Sequence, residues 1–124
     1  MIDWKVIYYQ TARGEEPVIS FIKKLPKEDQ GKIIWTINLL ETHGLRMGSP
    51  YLKKIEGTKK LWELKVNKYR IFLSFVLEKN ILLIHAIIKK TQKTPKKDLK
   101  LIKNRLKSFM EDSLWEIIER INKY

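Results

Sequence analysis

The segment from Leu61 to Pro95 constrains the fold more than any other part of this chain. It reads as three successive strands rich in β-branched and aromatic residues, and it ends in a dense basic stretch. The strands are predicted at 61–66, 69–77 and 81–88. The joints between them are two and three residues long, which suits hairpins. The segment therefore predicts an antiparallel meander.

The remaining elements follow from periodicity and from helix breakers. An opening strand is predicted over 4–9, a short helix over 17–25, a second helix over 27–43 and a loop over 45–60. A third helix begins near Pro95, and a fourth covers the amphipathic stretch 114–121. The order β-α-α-β-β-β-α-α predicts an α+β fold with a small, mostly antiparallel sheet on one side and helices on the other. We expect one domain.

Composition narrows the classes of protein. The chain has 124 residues, of which 44% are apolar and 32% are charged, as in an ordinary globular domain. It has no cysteine, which excludes disulfide scaffolds, thiol nucleophiles and cysteine-ligated zinc. Neither of its two histidines, His43 and His85, lies in a metal-ligand spacing. We expect no cofactor and no metal. The start of the chain lacks a signal-peptide layout and no apolar run is long enough for a membrane span, so we expect a cytoplasmic protein without a membrane partner.

Positive charge is concentrated on one element. Residues 89–107 hold nine Lys or Arg and one acidic residue, so they contribute +8 to a total of +12. Such a concentration is typical of proteins that bind a polyanion such as nucleic acid. It is also typical of a lysine-rich helix face that keeps a protein soluble. Charge alone leaves both interpretations open.

Strand alternation gathers charged residues on one face. Glu63, Lys65 and Arg70 share the face opposite the apolar one, so packing the apolar face on the helices leaves an open charged surface. The basic pair Lys89–Lys90 reaches its edge from the third strand, and loop lysines approach from the other side, Lys53 and Lys54 among them.

This charged surface has two interpretations. Arginine and lysine in this arrangement suit RNA phosphates, and they can stabilise the negative charge that develops when a ribose 2′-hydroxyl attacks the neighbouring phosphate. Alternatively, Glu63 simply pairs with Lys65 or Arg70 across neighbouring strands, which contributes a few tenths of a kcal/mol. Two nearby candidates are weaker: His85 is more typical of a hydrogen-bonded core residue, and strand phase turns Trp62 to the core.

Three motifs in order resemble the HigB-type, phage-derived branch of the RelE/ParE toxin superfamily. They are LWELK at 61–65, YR at 69–70 and KKTQKTP at 89–95, followed by a basic helix. The similarity covers about residues 1–107, which we take as the toxin domain, with 108–124 as an amphipathic helical extension of it. It implies a RelE-like fold and a ribosome-dependent endoribonuclease that cleaves mRNA. It also implies a cognate antitoxin, usually a small helix-turn-helix protein.

The resemblance also implies roles for individual residues. Arg70 is similar to the family arginine that stabilises the scissile phosphate, and Lys65 stands where related motifs have arginine, so charge is kept but the bidentate fork is lost. Glu63 matches the motif glutamate and is a candidate for proton transfer. The basic pair that closes the site is matched by Lys89 and Lys90. Backbone contacts to RNA are expected from Lys93 and Lys96, with Lys53 and Lys54 in the approach segment.

Other functions stay open at this point. A ParE-like inhibitor of DNA gyrase would share the fold without RNA chemistry, and a catalytically silent RNA-binding relic would keep the basic surface. The extension 108–124 leans acidic and has three expected roles: packing on the domain, which we favour, homodimerisation, or covering the basic face.

Overall fold

The computed structural model describes residues 4–123, which form one sheet and the helices that pack on it. The strands are β1 (Lys5–Tyr8), β2 (Leu52–Lys54), β3 (Trp62–Val66), β4 (Tyr69–Val76) and β5 (Asn80–Ile88). The helices are α1 (Pro17–Lys23), α2 (Lys27–His43), a short 3-10 helix (Gly44–Met47) and α3 (Lys96–Asn122). None of the described helices combines the length and apolar composition that a membrane crossing needs.

The five strands form one mixed sheet in the order β1-β5-β4-β3-β2. Strands β2, β3, β4 and β5 pair antiparallel, and β1 adds to β5 in parallel. The central β4–β5 hairpin has apolar residues on both faces, which is typical of strands covered on both sides. The α+β class, the meander and the mostly antiparallel sheet are confirmed.

Helices α1 and α2 cover the first face of the sheet. Their buried residues Val18, Ile33 and Leu40 pack with the β4 residues Ile71 and Leu73 in one apolar cluster. The apolar face predicted for β4 is therefore confirmed. Trp62 also packs against this cluster, edge-on to Phe75, as its strand phase predicts.

Helix α3 covers much of the second face, so the prediction of helices on one side only is wrong. Ile102 is fully buried in a second cluster with Phe72, Leu82 and Ile84. The apolar α3 residues predicted from periodicity all join this cluster; they are Leu99, Ile102, Leu106 and Phe109. The charged surface expected to be open is consequently reduced to the margin of this second cluster.

A β-bulge between β4 and β5 changes which way His85 points. Phe72 pairs with His85, but the next residue, Leu73, pairs with Leu83, so Ile84 has no partner in the ladder. An extra residue in one strand breaks the strict alternation of faces. His85 consequently stacks on Phe72 and faces α3, where uninterrupted alternation would turn it to the α1–α2 face.

Three further expectations differ from the structure. Strand β2 forms within the segment expected to be loop, because Leu52 is an apolar side chain that the core can bury. The third and fourth predicted helices are one helix, α3, since no glycine or proline interrupts 96–122. In the extension 108–124, Phe109 packs on the second cluster, but Leu114, Trp115 and Ile121 are exposed, so the expected packing is limited to its start.

Gly44 ends α2 with φ 54° and ψ −133°, and a Cβ there would overlap the indole ring of Trp4. We therefore expect Gly44→Ala to lower the free energy of unfolding by about 1–3 kcal/mol in urea denaturation, as for other overpacked sites. Gly31→Ala is the matched control, because a Cβ at this helical position meets nothing within 4 Å. It should stabilise the protein by about 0.5–1 kcal/mol. Equal effects of the two substitutions would contradict this account.

Candidate functional site

Three charged side chains meet where β3, β4 and the end of β5 come together. Glu63 Oε1 lies 2.8 Å from Lys89 Nζ and 3.9 Å from Arg70 Nε. All three side chains are largely buried: 12% of Glu63, 12% of Lys89 and 15% of Arg70 is exposed. The carboxylate and the two cations compensate one another's loss of hydration, because opposite charges lie side by side. We call these three residues the Glu63 cluster.

The strand register explains how the cluster forms. Glu63 lies opposite Phe72, and the β3 residue two places on, Lys65, lies opposite Arg70. The Arg70 side chain is fixed by its own hairpin, because Nη1 donates to the Asn67 carbonyl at 2.7 Å and to the Tyr69 carbonyl at 2.9 Å. The hydrogen bonds between β4 and β5 continue past the end of β5, because the Lys89 N–H donates to the Lys68 carbonyl.

A cavity of about 320 Å³ opens beside the cluster. It is lined by Glu63 and Lys89 together with three further predicted site residues, Lys53, Lys54 and Lys93. Glu56, in the loop after β2, also lines it. Four lysines against two glutamates leave an excess of positive charge among these side chains, which favours an anionic ligand. Five residues selected from motifs thus lie around one cavity.

Three other predicted residues lie elsewhere. Lys90 and Lys96 are exposed, and neither is among the described residues that line this cavity. Lys65 is also exposed, and it lines a second cavity, between the β3–β4 hairpin and α2. The nine residues therefore do not form a single ring. Their roles stay predictions.

Beside the Glu63 cluster, His85 joins the sheet to α3. Its Nε2 lies 2.8 Å from Asp98 Oδ1, and its Nδ1 lies 3.3 Å from Arg105 Nη1, which also donates to the Ile84 carbonyl at 3.0 Å. The acceptor Asp98 fixes the proton on Nε2, and Nδ1 then accepts from Arg105. Burial lowers the pKa of the Arg105 guanidinium, which nevertheless remains a cation at neutral pH.

Sequence reasoning assigned no role to Asp98 or Arg105, and it gave His85 to the core. The spacing of Asp98 and Arg105 could have indicated that they act together. Seven residues are about two helical turns, so both side chains lie on one side of α3. The bulge that turns His85 toward them has no such signal. Since both ring nitrogens are occupied, His85 acts here as an anchor for α3.

On the opposite face, Tyr69 ties the strand that carries Arg70 to α2. Its hydroxyl donates to Asp29 Oδ2 at 2.5 Å, and its ring packs edge-on against Phe21. The hydrogen bond to Asp29, followed by burial and by the charge of Asp29, raises the pKa of Tyr69. Ionised tyrosine would place two negative charges in contact, so the neutral hydroxyl is favoured.

The arrangement can bind a phosphate and can move a proton. Arg70 and Lys89 offer donors to phosphate oxygens, and the Glu63 carboxylate can accept a proton from a hydroxyl. Among residues 4–123, no group of three or more His, Asp or Glu side chains lies close enough together to hold a metal ion.

The sequence matches a family model described as phage-derived protein Gp49-like (DUF891), over residues 20–107. The match covers 88 of the 124 residues. The chain belongs to this family. Gp49-like proteins are a RelE/HigB-like toxin family, so the resemblance to phage-derived toxins of the RelE superfamily is confirmed. No curated protein matches the sequence significantly.

The fold of this Gp49-like chain is similar to that of a chain in the crystal structure of the archaeal RelE–RelB complex from Pyrococcus horikoshii OT3. The similarity has a TM-score of 0.52 with 19% sequence identity, and it covers 68% of this chain and 93% of the other. The predicted RelE-like fold is thereby confirmed.

The anchor role of His85 predicts a loss of stability on truncation. His85→Ala leaves Asp98 and Arg105 without their shared partner, so we expect the free energy of unfolding to fall by about 1–3 kcal/mol. His43→Ala is the control, because His43 is exposed at the end of α2 and its loss should change stability by less than about 0.5 kcal/mol. Similar losses for both variants in urea denaturation would show that His85 is not an anchor.

The raised pKa of Tyr69 predicts a loss of stability at alkaline pH. The folded pKa lies above the unfolded value of about 10, so the contribution of Tyr69 is complete below pH 10 and is lost as the pH rises through the folded pKa. The difference in unfolding free energy between the wild type and Tyr69→Phe should therefore shrink above about pH 10. Tyr51→Phe, at an exposed tyrosine, is the control and should follow the wild type at every pH. A constant difference between wild type and Tyr69→Phe would refute the linkage.

Proposed function

We propose that this Gp49-like chain is the toxin of a type II toxin–antitoxin system and that it acts as a ribosome-dependent endoribonuclease on mRNA. The observation that carries this proposal is the Glu63 cluster, in which a carboxylate and two cations lie together beside a cavity with an excess of lysine. Membership of a family of RelE/HigB-like toxins supports ribonuclease activity in general. The geometry supplies residues that such chemistry can use.

In the proposed reaction, the ribose 2′-oxygen attacks the neighbouring phosphorus atom while the bond from phosphorus to the 5′-oxygen breaks. Glu63 accepts the 2′-hydroxyl proton as general base. Arg70 and Lys89 donate to the non-bridging phosphate oxygens, where negative charge grows in the transition state. The leaving 5′-oxygen takes a proton from solvent. The products are a 2′,3′-cyclic phosphate and a 5′-hydroxyl end.

The lysines around the cavity take the flanking RNA backbone in this proposal. Lys53, Lys54 and Lys93 line the cavity with Lys89, so they can contact phosphates on either side of the bond that breaks. Lys90 and Lys96 are exposed to solvent. Their charges suit contact with ribosomal RNA or with mRNA outside the cavity. Their contribution would be electrostatic and steeply dependent on salt.

The proposal includes partners. The similar archaeal structure is a RelE–RelB complex, which supports a cognate antitoxin here. In this proposal the antitoxin is a small helix-turn-helix protein. A chain with a net charge of +12 that acts on RNA needs a partner to neutralise it in the resting cell. Self-association through α3 is a further part of the proposal, supported by the exposed Leu114, Trp115 and Ile121 of its C-terminal half.

Arg70→Ala tests the proposed nuclease. Primer extension on an mRNA translated in vitro should show ribosome-dependent breaks with the wild type, and the substitution should reduce the cleavage rate by about 10²–10³-fold, as for other donors to a developing oxyanion. Arg120→Ala removes the same charge from the exposed end of α3 and should cleave like the wild type.

Other outcomes would change the assignment. Folded wild-type protein that causes no breaks, with or without ribosomes, contradicts the nuclease. Gyrase-dependent DNA damage on expression would then identify a ParE-like gyrase inhibitor. Ribosome binding without breaks, unchanged by Arg70→Ala, would identify a catalytically silent RNA-binding relic.

A further inference from the structure

A second cavity lies between α2 and the β3–β4 hairpin. Its volume is about 440 Å³, within the range of about 300–1,000 Å³ that is usual for ligand pockets. Six of its lining residues matter here, and we call the cavity they define the Trp35 groove: Lys32, Trp35, Thr36, Tyr51, Lys65 and Asn67. The proposed reaction assigns no role to this groove.

Two aromatic side chains dominate the groove and are unusually exposed. Trp35 is 65% exposed and Tyr51 is 55% exposed, although large aromatic residues are mostly buried in folded domains. They come from different elements, α2 and the segment before β2, and they line the same cavity. Exposed aromatic rings at the surface of a nucleic-acid-binding protein are the usual platforms on which unpaired bases stack.

The charge of the groove favours a nucleotide over a protein segment. Lys32 lies 3.7 Å from Glu28, which balances it, whereas Lys65 is exposed and adds a positive charge beside the aromatic rings. Lysine is depleted in protein–protein interfaces, where aromatic residues otherwise concentrate. Aromatic faces together with lysine match a ligand that has both a flat ring and a phosphate.

The groove and the Glu63 cluster share the β3–β4 hairpin. Lys65 is two residues from Glu63 on β3, so their Cα atoms are about 7 Å apart on the same face of the strand. Asn67, also in the groove, accepts a hydrogen bond from the Arg70 guanidinium through its carbonyl. An RNA strand that places one phosphate at Arg70 would pass round the edge of this hairpin to place a neighbouring nucleotide in the groove.

We propose that the Trp35 groove is a subsite for an unpaired nucleotide of the RNA strand whose phosphate lies in the Glu63 cluster. The base stacks on Trp35 and Tyr51, and Lys65 contacts the phosphate of that nucleotide. This inference rests on the proposed function and extends it, because it assigns recognition of a base to a surface outside the reacting centre. It also gives a role to Lys65, which lies away from the lysine-lined cavity.

The test measures binding of a fluorescein-labelled, non-cleavable 2′-O-methyl RNA of about ten nucleotides, a length within the usual site size, by fluorescence anisotropy. A second probe of equal length carries abasic sugars throughout. Trp35→Ala should weaken binding of the first probe about 5- to 150-fold, the loss expected for one stacked base, and should leave binding of the abasic probe unchanged.

Matched variants separate stacking from charge. Trp115→Ala removes an equally exposed tryptophan, 62% accessible on α3, and should bind both probes like the wild type. Trp35→Phe keeps an aromatic face and should recover much of the lost affinity. Lys65→Ala should weaken both probes and lower the slope of log K against log salt by about one.

The outcomes distinguish failure of the subsite from failure of the proposed function. If Arg70→Ala weakens probe binding and Trp35→Ala does not, the subsite is wrong and the nuclease proposal stands. If folded wild-type protein binds neither probe and cleaves no mRNA on ribosomes, both are wrong. If Trp35→Ala binds both probes normally but no longer co-purifies with the antitoxin, the groove is a protein interface and the subsite is wrong.

Discussion

The packing of α3 on the second face of the sheet decides where charged residues can lie. Ile102 is fully buried against Phe72 and Ile84, so apolar side chains fill the centre of that face. Burying apolar area at about 25 cal/mol per Å² strongly favours this contact, and charged side chains cannot share the space without partners. Glu63, Arg70 and Lys89 consequently lie at the margin of the apolar cluster, where they are shielded from most water but still reachable.

That position makes the three charges depend on one another. At 12% exposure, Glu63 has lost most of its hydration, and Lys89 at 2.8 Å replaces it. Removing the carboxylate would leave two largely buried cations facing each other, which is more costly than losing a surface ion pair. The same pairing means that a phosphate must compete with Glu63 for Lys89, so the excess lysines of the cavity matter for drawing the anion in.

The sequence allows much of this to be predicted, because alternation is a local property. Tyr69, Ile71 and Leu73 face one side of β4 and Arg70 and Phe72 face the other, as period two requires. The apolar spacing of Leu99, Ile102 and Leu106 likewise identifies the buried side of α3. The face of the sheet that α3 covers depends on tertiary packing. Neither strand alternation nor helical spacing predicts it.

The candidate site was likewise predictable only in part. The motifs identified Glu63, Arg70 and Lys89, and strand register then brings them together. The bulge turns His85 toward Asp98 because Ile84 has no partner in the ladder. Isoleucine is an ordinary strand residue, so the sequence does not predict a bulge at this position. Lys65 has the same strand phase as Glu63, but it lies one residue beyond the β2–β3 register and lines the cavity beside α2 instead.

Glu63 lines one cavity and Lys65 lines the other, so the two cavities are neighbours along β3. β2 pairs with β3 only as far as Leu64, and beyond it the Lys65 N–H donates to the Tyr51 carbonyl, so the chain before β2 brings an aromatic ring beside the hairpin. The hairpin in turn holds the Arg70 guanidinium through the Asn67 carbonyl at 2.7 Å. One short strand pairing therefore sets the separation between the lysine-lined cavity and the Trp35 groove. An RNA strand that used both cavities would run along β3, which pairs with β4 along its whole length and with β2 over three residues.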